Sequence, residues 1–453
     1  MADVIERVNK YIAKQKREVN GTYRLNYHIM PPCGWMNDPN GLICFGGKYH
    51  LYYQFNPFDT RTGTMYWGHV ISDDLISYED AGVAIAPQEE YESIFSGGAI
   101  EVDGGITAMY TLHFEQDDFR KEEVYKAVST DGRHFTDGIC VFDNCRLPAN
   151  LSRTDFRDPC PAKIGDKYYV FLGGKDILLN RGVIIVLGGY TLDRLEYEFY
   201  IGPYHELGDM GECPSYFRIG EKDVFVVSGC HVNERDNDFM NINASVFIVG
   251  NLDIENGKMA VDFIKEIDKG DTFYAPQFVR GIEEPVMIGW LEMWNKPYPT
   301  RDMEHGWVGA FSIPRKIEYR DGDVFQHPVD QLQNYLCEIE SDEVPASSEI
   351  KFRFEGEGSL QIESSNGKVV ITNNDNVCLD TRFTNNSYGS IRRTNGSYQS
   401  CNVQVLLDRS SIELFVDDGR ETISSRIYLD GKYKLSSEGK ITNLKINEIR
   451  RKV

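Results

Sequence analysis

The sequence predicts an all-β protein built from two bodies, and two observations carry that reading. From about residue 40 onward the chain runs as short alternating or aromatic-rich stretches broken by turn signals, as in GLICFGGKYHLYYQFNP and KIGDKYYVFLGGKD, which is the pattern of strands and hairpins. Helical periodicity is confined to the first residues and to one segment around PVDQLQNYL, from Pro328 to Leu336. With 453 residues the chain exceeds one ordinary domain, so that second segment marks a hinge between two all-β bodies.

The N-terminal MADVIERVNKYIAKQKREV places Ile5, Val8 and Ile12 at helical spacing among charged residues, which predicts a short amphipathic helix without the apolar core of a secretory leader. No stretch reaches the roughly 18 to 20 apolar residues needed to cross a bilayer. Residues 1–25 are assigned to this helical extension, 26–327 to the first β body, 328–347 to the linker and 348–453 to the second body. The many short strands before the hinge suit a propeller, whose central channel collects loop-borne groups from every blade; no strict repeat marks the blades. After the hinge, KFRFEGEG, SLQIES, KVVITNN, NVQVLLD and SIELFVDDG continue the strand pattern with Asp-Gly and Asn-Gly turns, as in a sandwich of two antiparallel sheets.

Forty-eight Lys and Arg stand against 70 Asp and Glu, a formal charge of −22. That field repels nucleic-acid phosphates and anionic membranes and favours a neutral ligand such as a sugar. Ten cysteines are scattered without a CxxC pair or a His at finger spacing, which fits reduced thiols in a cytoplasm. His28, His50 and His69 are too widely spaced to read as a metal site, so neither metal nor cofactor is expected. Gly174-Lys175 is no phosphate loop: Tyr169 stands where that motif needs Gly, and Asp176 where it needs Ser or Thr.

Three short segments carry candidate chemistry. Trp35-Met36-Asn37-Asp38-Pro39-Asn40-Gly41, followed by Gln54, Asn56 and Pro57, reads equally as turn chemistry. Phe156-Arg157-Asp158-Pro159 reads equally as a structural ion pair, and Glu212-Cys213-Pro214 as a solvent-facing acid before an extended step. Together and in this order they resemble glycoside hydrolase family 32, the invertases, inulinases, levanases and sucrose-6-phosphate hydrolases. The resemblance covers nearly the whole chain. It extends through Tyr66-Trp67-Gly68-His69, Phe95-Ser96-Gly97, Met109-Tyr110-Thr111, Phe273-Tyr274-Ala275-Pro276-Gln277, Ile288-Gly289-Trp290 and Pro314-Arg315 to Asp408-Arg409-Ser410-Ser411, with Glu413, Phe415 and Ser425-Arg426 beyond. The N-terminal helix leading into Tyr27-His28 and Pro31-Pro32 most resembles the cytoplasmic sucrose-6-phosphate hydrolase branch.

The resemblance implies a five-bladed β-propeller followed by a β-sandwich, acting as a retaining β-fructofuranosidase. It assigns Asp38 as nucleophile, Glu212 as acid/base and Asp158 as transition-state stabiliser, with Asn37, Gln54, Trp67, Phe95, Ser96 and Arg157 lining the fructose pocket. Trp67 and Phe95 read equally as core aromatics. The chemistry needs Asp38 charged and Glu212 protonated, so donors near Asn37 are expected to keep Asp38 ionised and Arg157 to do the same for Asp158. The partner expected is a small-molecule or oligosaccharide fructoside, with no nucleic acid and no membrane; a homodimer through the sandwich edges stays open. A fructosyltransferase of the same architecture, or a fructoside-binding protein drifted from catalysis, are the alternatives.

Departures from the family pattern cluster around the sugar positions. Thr62 stands where relatives carry a Trp, Cys160 follows Asp158-Pro159, Gly211 replaces an aromatic before Glu212, Ser215 replaces an Asp, and Thr272 occupies an Asp position with Asp271 one residue earlier. Two lost aromatics predict space in the leaving-group site. The changes at Ser215 and Thr272 predict lost acceptors for sugar hydroxyls.

Overall fold

The structure is a computed structural model and describes residues 1–451 apart from 118, 236, 342 and 385–387. Five antiparallel sheets follow one another along the chain as blades. Blade I comprises Gly34–Phe45, Lys48–Asn56, Tyr66–Ser72 and Tyr78–Ile85. Blade II comprises Glu92–Val102, Gly105–Gln116, Phe119–Ser129 and Ile139–Asp143, and blade III Leu151–Ile164, Lys167–Asp176, Arg181–Thr191 and Arg194–Ile201. Blade IV comprises Met210–Ile219, Lys222–Cys230, Ala244–Asp253 and Lys258–Glu266, and blade V Tyr274–Phe278, Val286–Trp290, Arg315–Arg320 and Asp323–Pro328. Each blade winds outward from its first strand, and valine, isoleucine and aromatic side chains fill the space between blades. Trp307–Val308, an excursion from blade V, pairs in parallel with Gly34 and Trp35 of blade I. That contact closes the ring, so the innermost strand of blade I has no open edge there.

The expected N-terminal helix spans Ala2–Gln15, with Val8 and Ile12 buried. It lies on blade I, where the Asn9 side-chain oxygen accepts the Val83 N–H at 3.0 Å. The segment from Pro328 to Leu336 forms only a short 3-10 turn, Asp330–Tyr335.

Beyond it the C-terminal body is one ten-stranded sheet folded on itself. The long strand Ser347–Ser364 pairs through Ser347 to Phe354 with Cys401–Asp408, and through Gly358 to Ser364 with Gly367–Asn374. Its other edge pairs throughout with Tyr433–Ile449, with a register shift between Phe354 and Gly358. KFRFEGEG and SLQIES are therefore one bent strand rather than two. Gly356, at a φ of +109°, supplies the bend, a conformation that side chains disfavour. The fold brings two sheet faces together around Phe352, Phe354, Leu360, Ile362, Val403 and Leu414, the sandwich expected from sequence.

Buried charge joins the two bodies. Arg315 of blade V lies between Asp268 at 2.9 Å and Glu413 at 2.6 Å, all three side chains fully buried. His28 bridges Asp408 at 2.8 Å and Glu413 at 2.9 Å. Asp408 also accepts the backbone N–H groups of Asn26 and Tyr27, so the chain entering the propeller is tied directly to the sandwich.

Candidate active site

Every blade breaks its innermost ladder at the same place. In blade I, Met36 pairs with Phe55 and Pro39 with Tyr53, which sets Asn37 and Asp38 against a single residue. The same two-against-one bulge takes in Phe95 and Ser96, then Asp158 and Pro159, Cys213 and Pro214, and Ala275 and Pro276. A bulge re-aims side chains and interrupts pairing, and proline, having no N–H, makes the interruption permanent in three of the five. Asp158, Cys213 and Ala275 adopt φ of 64°, 47° and 49°, strained conformations for residues with a Cβ.

In blades III, IV and V a backbone donor of the bulge is taken up by a side chain of the preceding blade, and in blade II the N–H just beyond the bulge is. Asn40 of blade I accepts Gly97 N–H at 3.2 Å, and Thr111 of blade II accepts Asp158 N–H at 2.9 Å. Asp158 itself accepts Cys213 N–H at 2.9 Å, and Ser228 of blade IV accepts Ala275 N–H at 3.1 Å. Satisfying the Asp158, Cys213 and Ala275 N–H groups in this way makes those three irregularities tolerable inside the molecule.

The bulges open on a cavity of about 580 Å³ whose lining includes Asp38, Asp158 and Glu212. The Cys213 thiol lies 3.6 Å from Asp38 Oδ2 and 3.4 Å from Asp158 Oδ2, placing both carboxylates against one sulfur. Burial and the surrounding carboxylates hold that thiol well above its ordinary range, so it is a neutral donor. The Ser96 hydroxyl donates to Asp38 Oδ2 at 2.7 Å, while Asp38 Oδ1 has no hydrogen-bond partner among the described residues. Glu212 Oε2 accepts the Tyr274 hydroxyl at 2.7 Å, and its other oxygen lies 3.9 Å from Arg157 Nε.

Burial pushes the Asp38 carboxyl up to about 6, against the Ser96 and Asn37 hydrogen bonds. Burial also raises Asp158, to about 8, with Glu212 and Asp38 adding to the effect and Arg157 and the Cys213 N–H opposing it. The expected donors are therefore present, but they do not outweigh desolvation. Arg157 spreads its charge over Glu122 and Asp155, each 3.7 Å away, as well as Glu212.

Asn37, Gln54, Phe95, Ser96 and Arg157 all line the cavity. The Asn37 side-chain oxygen accepts the Trp35 indole N–H at 2.8 Å, and Gln54 donates to the Ile94 carbonyl at 2.8 Å. Trp67 does not reach the cavity. It is fully buried and its indole N–H donates to the Phe95 carbonyl at 3.0 Å, so it acts on the pocket through Phe95. The sequence reading passed over three contributors. Tyr274, in the Phe273-Tyr274-Ala275-Pro276-Gln277 segment, donates to Glu212; His113 lies flat against Phe95, with ring centroids 4.2 Å apart; Trp294 forms part of the wall. No motif marks His113 or Trp294, because their relevance comes from neighbours distant in sequence.

The departures resolve differently. Thr62 lines the cavity, as expected of the position. Ser215 and Thr272 do not: the Ser215 hydroxyl accepts Phe278 N–H at 3.1 Å inside the core, and Thr272 is buried against the sandwich near Ser424. The expected loss of sugar-binding acceptors at these two positions is corrected accordingly. Gly211 is closely packed: a Cβ there would stand 3.0 Å from the Val183 carbonyl oxygen of blade III and 3.6 Å from the Val227 side chain. Cys160 is buried, with Arg280 donating to its sulfur at 2.9 Å.

Comparison with known proteins agrees with this geometry. Residues 28–328 match the model of the glycosyl hydrolases family 32 N-terminal domain, and residues 337–449 that of the family 32 C-terminal domain. Sucrose-6-phosphate hydrolase of Escherichia coli is 29% identical, covering 92% of each chain, and raffinose invertase of Escherichia coli is 29% identical, covering 89% of each. The structure of the Bombyx mori GH32 beta-fructofuranosidase is 30% identical, covers 99% of both chains and superposes with a TM-score of 0.88. A mutant of the same Bombyx protein, solved in complex with sucrose, superposes with the same TM-score at 29% identity, covering 99% of this chain and 98% of that one. With both family domains matched across nearly its whole length, the chain is a fructoside-hydrolysing enzyme and belongs to glycoside hydrolase family 32.

Proposed function

We propose that this chain hydrolyses terminal β-fructofuranosides by double displacement, with Asp38 as nucleophile, Glu212 as acid/base and Asp158 as transition-state stabiliser. The observation that carries the reading is the meeting of these three carboxylates, from three blades, on one cavity. The unpartnered Asp38 Oδ1 is the atom free to attack the anomeric carbon, while Ser96 holds the other oxygen in place. The fructosyl-enzyme forms as Glu212 passes its proton to the leaving oxygen; Glu212 then draws a proton from the water that releases fructose. Fructose hydroxyls donating to Asp158 favour its ionised form. As positive charge develops on the ring, ionised Asp158 binds it more tightly than the ground state, and that difference lowers the barrier. Tyr274 orients Glu212 in both half-reactions. Sucrose and raffinose are the first substrates to try, since relatives are named for them.

The test compares Glu212→Ala and Asp38→Asn on sucrose and on an aryl β-fructoside with an acidic phenol. Glu212→Ala should cost sucrose hydrolysis a factor of about 10⁴, within the range that acid/base catalysis supplies. The aryl substrate, whose phenolate leaves without a proton, should lose far less in the fructosylation step. Asp38→Asn should abolish both. Sucrose turnover within tenfold of wild type in Glu212→Ala would remove Glu212 from the chemistry.

A further inference from the structure

The cavity is built in two tiers of like charge. Asp38 and Asp158 are buried at its floor with Glu212 beside them, and Glu90, Glu92 and Glu115 stand nearer the opening, Glu90 and Glu115 exposed. The nitrogen-bearing basic side chains in the wall are the Arg157 guanidinium and the His113 imidazole. Arg157 is engaged by Glu122, Asp155 and Glu212. His113 is held between Glu122 at 3.3 Å and Glu115 at 3.1 Å, with Phe95 covering its face. No lysine lines the cavity among the described residues, and its lining contains no helix end. The lining also includes the hydroxyls of exposed Thr62, Thr64 and Tyr91, the buried Ser93 and Met65, and the apolar face of Trp294.

A phosphate is bound by arginine or lysine, or by backbone N–H groups at a helix N-terminus or nest. This wall offers it carboxylates instead, in a chain of net charge −22. Hydroxyls beside apolar faces suit an uncharged sugar. We propose that the leaving-group half of this cavity selects a neutral sugar and rejects one carrying a phosphate. The proposal rests on the fructoside-hydrolase reading above and adds to it the charge of the leaving group. It separates this chain from relatives named sucrose-6-phosphate hydrolase, despite the similar identity to both kinds of relative.

The experiment measures kcat/KM of the intact protein on sucrose, kestose and sucrose 6-phosphate. 4-Nitrophenyl β-fructofuranoside serves as a neutral probe that asks little of the leaving-group site. The better of sucrose and kestose should exceed sucrose 6-phosphate by at least about 30-fold at low ionic strength, and added NaCl should narrow the gap because these exposed charges are screened. Glu90→Lys should narrow it by about five- to tenfold through KM rather than kcat, since the charge acts on capture. If the nitrophenyl fructoside is cleaved while sucrose 6-phosphate matches or exceeds the neutral sugars, the charge argument is overturned and the hydrolase reading stands. If the nitrophenyl fructoside is not cleaved, both fall together.

Discussion

Tyr274, in the bulge strand of blade V, donates its hydroxyl to Glu212 of blade IV across 2.7 Å. One oxygen of the acid/base is thereby fixed by a neighbouring blade, while the other faces Arg157. Removing the phenol oxygen should leave Glu212 present but loosely aimed. Tyr274→Phe is expected to lower kcat/KM on sucrose by about 10- to 100-fold, the equivalent of one hydrogen bond to a charged group. Steady-state kinetics alongside a thermal melt separates this outcome from a folding defect.

Ser96 governs the acid limb of activity. Its hydrogen bond favours the ionised form of Asp38, whose carboxyl burial already lifts to about 6. The attacking form is the ionised one, so activity falls as pH drops through that value. Ser96→Ala removes a lowering influence and should move the limb toward higher pH by about half to one unit. The readout is the kcat/KM profile from pH 4 to 8; an unmoved limb with uniformly reduced activity would show that Ser96 serves only to shape the pocket.

His28 makes stability depend on pH far from the cavity. Burial alone would depress its pKa, but hydrogen bonds donated to the Asp408 and Glu413 carboxylates overcome this and raise it to about 9. A folded pKa above the unfolded 6.5 means the stabilisation is fully present below about pH 6.5 and is lost as pH rises through about 9. The amount is up to about 3 kcal/mol. Urea unfolding across pH 6 to 10 should show this decline, and His28→Gln should flatten it while lowering stability at pH 6.

Arg315 is the counterpart in blade V. Its removal leaves Asp268 and Glu413 as buried charges with one fewer partner. Arg315→Ala is expected to cost about 3 to 5 kcal/mol, read as a shift in the urea midpoint. Arg315→Met, which fills the space without restoring the charge, should recover little, because the two carboxylates still lack compensation.

The three catalytic candidates could be read along the chain because each lies in a short string whose order is diagnostic, such as Asn37-Asp38-Pro39 or Glu212-Cys213-Pro214. The N-terminal helix was readable too, since its buried residues recur at one local period. What stayed hidden depends on pairings between distant strands. Trp67 and Phe95 look alike as aromatics, yet one is core and the other wall, and only the packing of blade I against blade II separates them. Ser215 and Thr272 read as pocket positions from the segments they occupy, whereas the strand pleat and the sandwich turn them into the interior. His113 is positioned by Glu122, Glu115 and Phe95 together, a constellation no linear spacing reveals. The balance between burial and hydrogen bonding at Asp38 and Asp158 is likewise a property of three dimensions.

The bulges also separate two kinds of work that a strand ordinarily combines. In each blade the ladder on either side carries the architecture, while the two residues between Met36 and Pro39, or between Glu212 and Ser215, stand outside the pairing register. Their replacement leaves the strand-to-strand bonds in place. A propeller made this way is a frame with interchangeable inserts, in which Asn37-Asp38 in one slot and Ala275-Pro276 in another are alternatives that the same scaffold accepts.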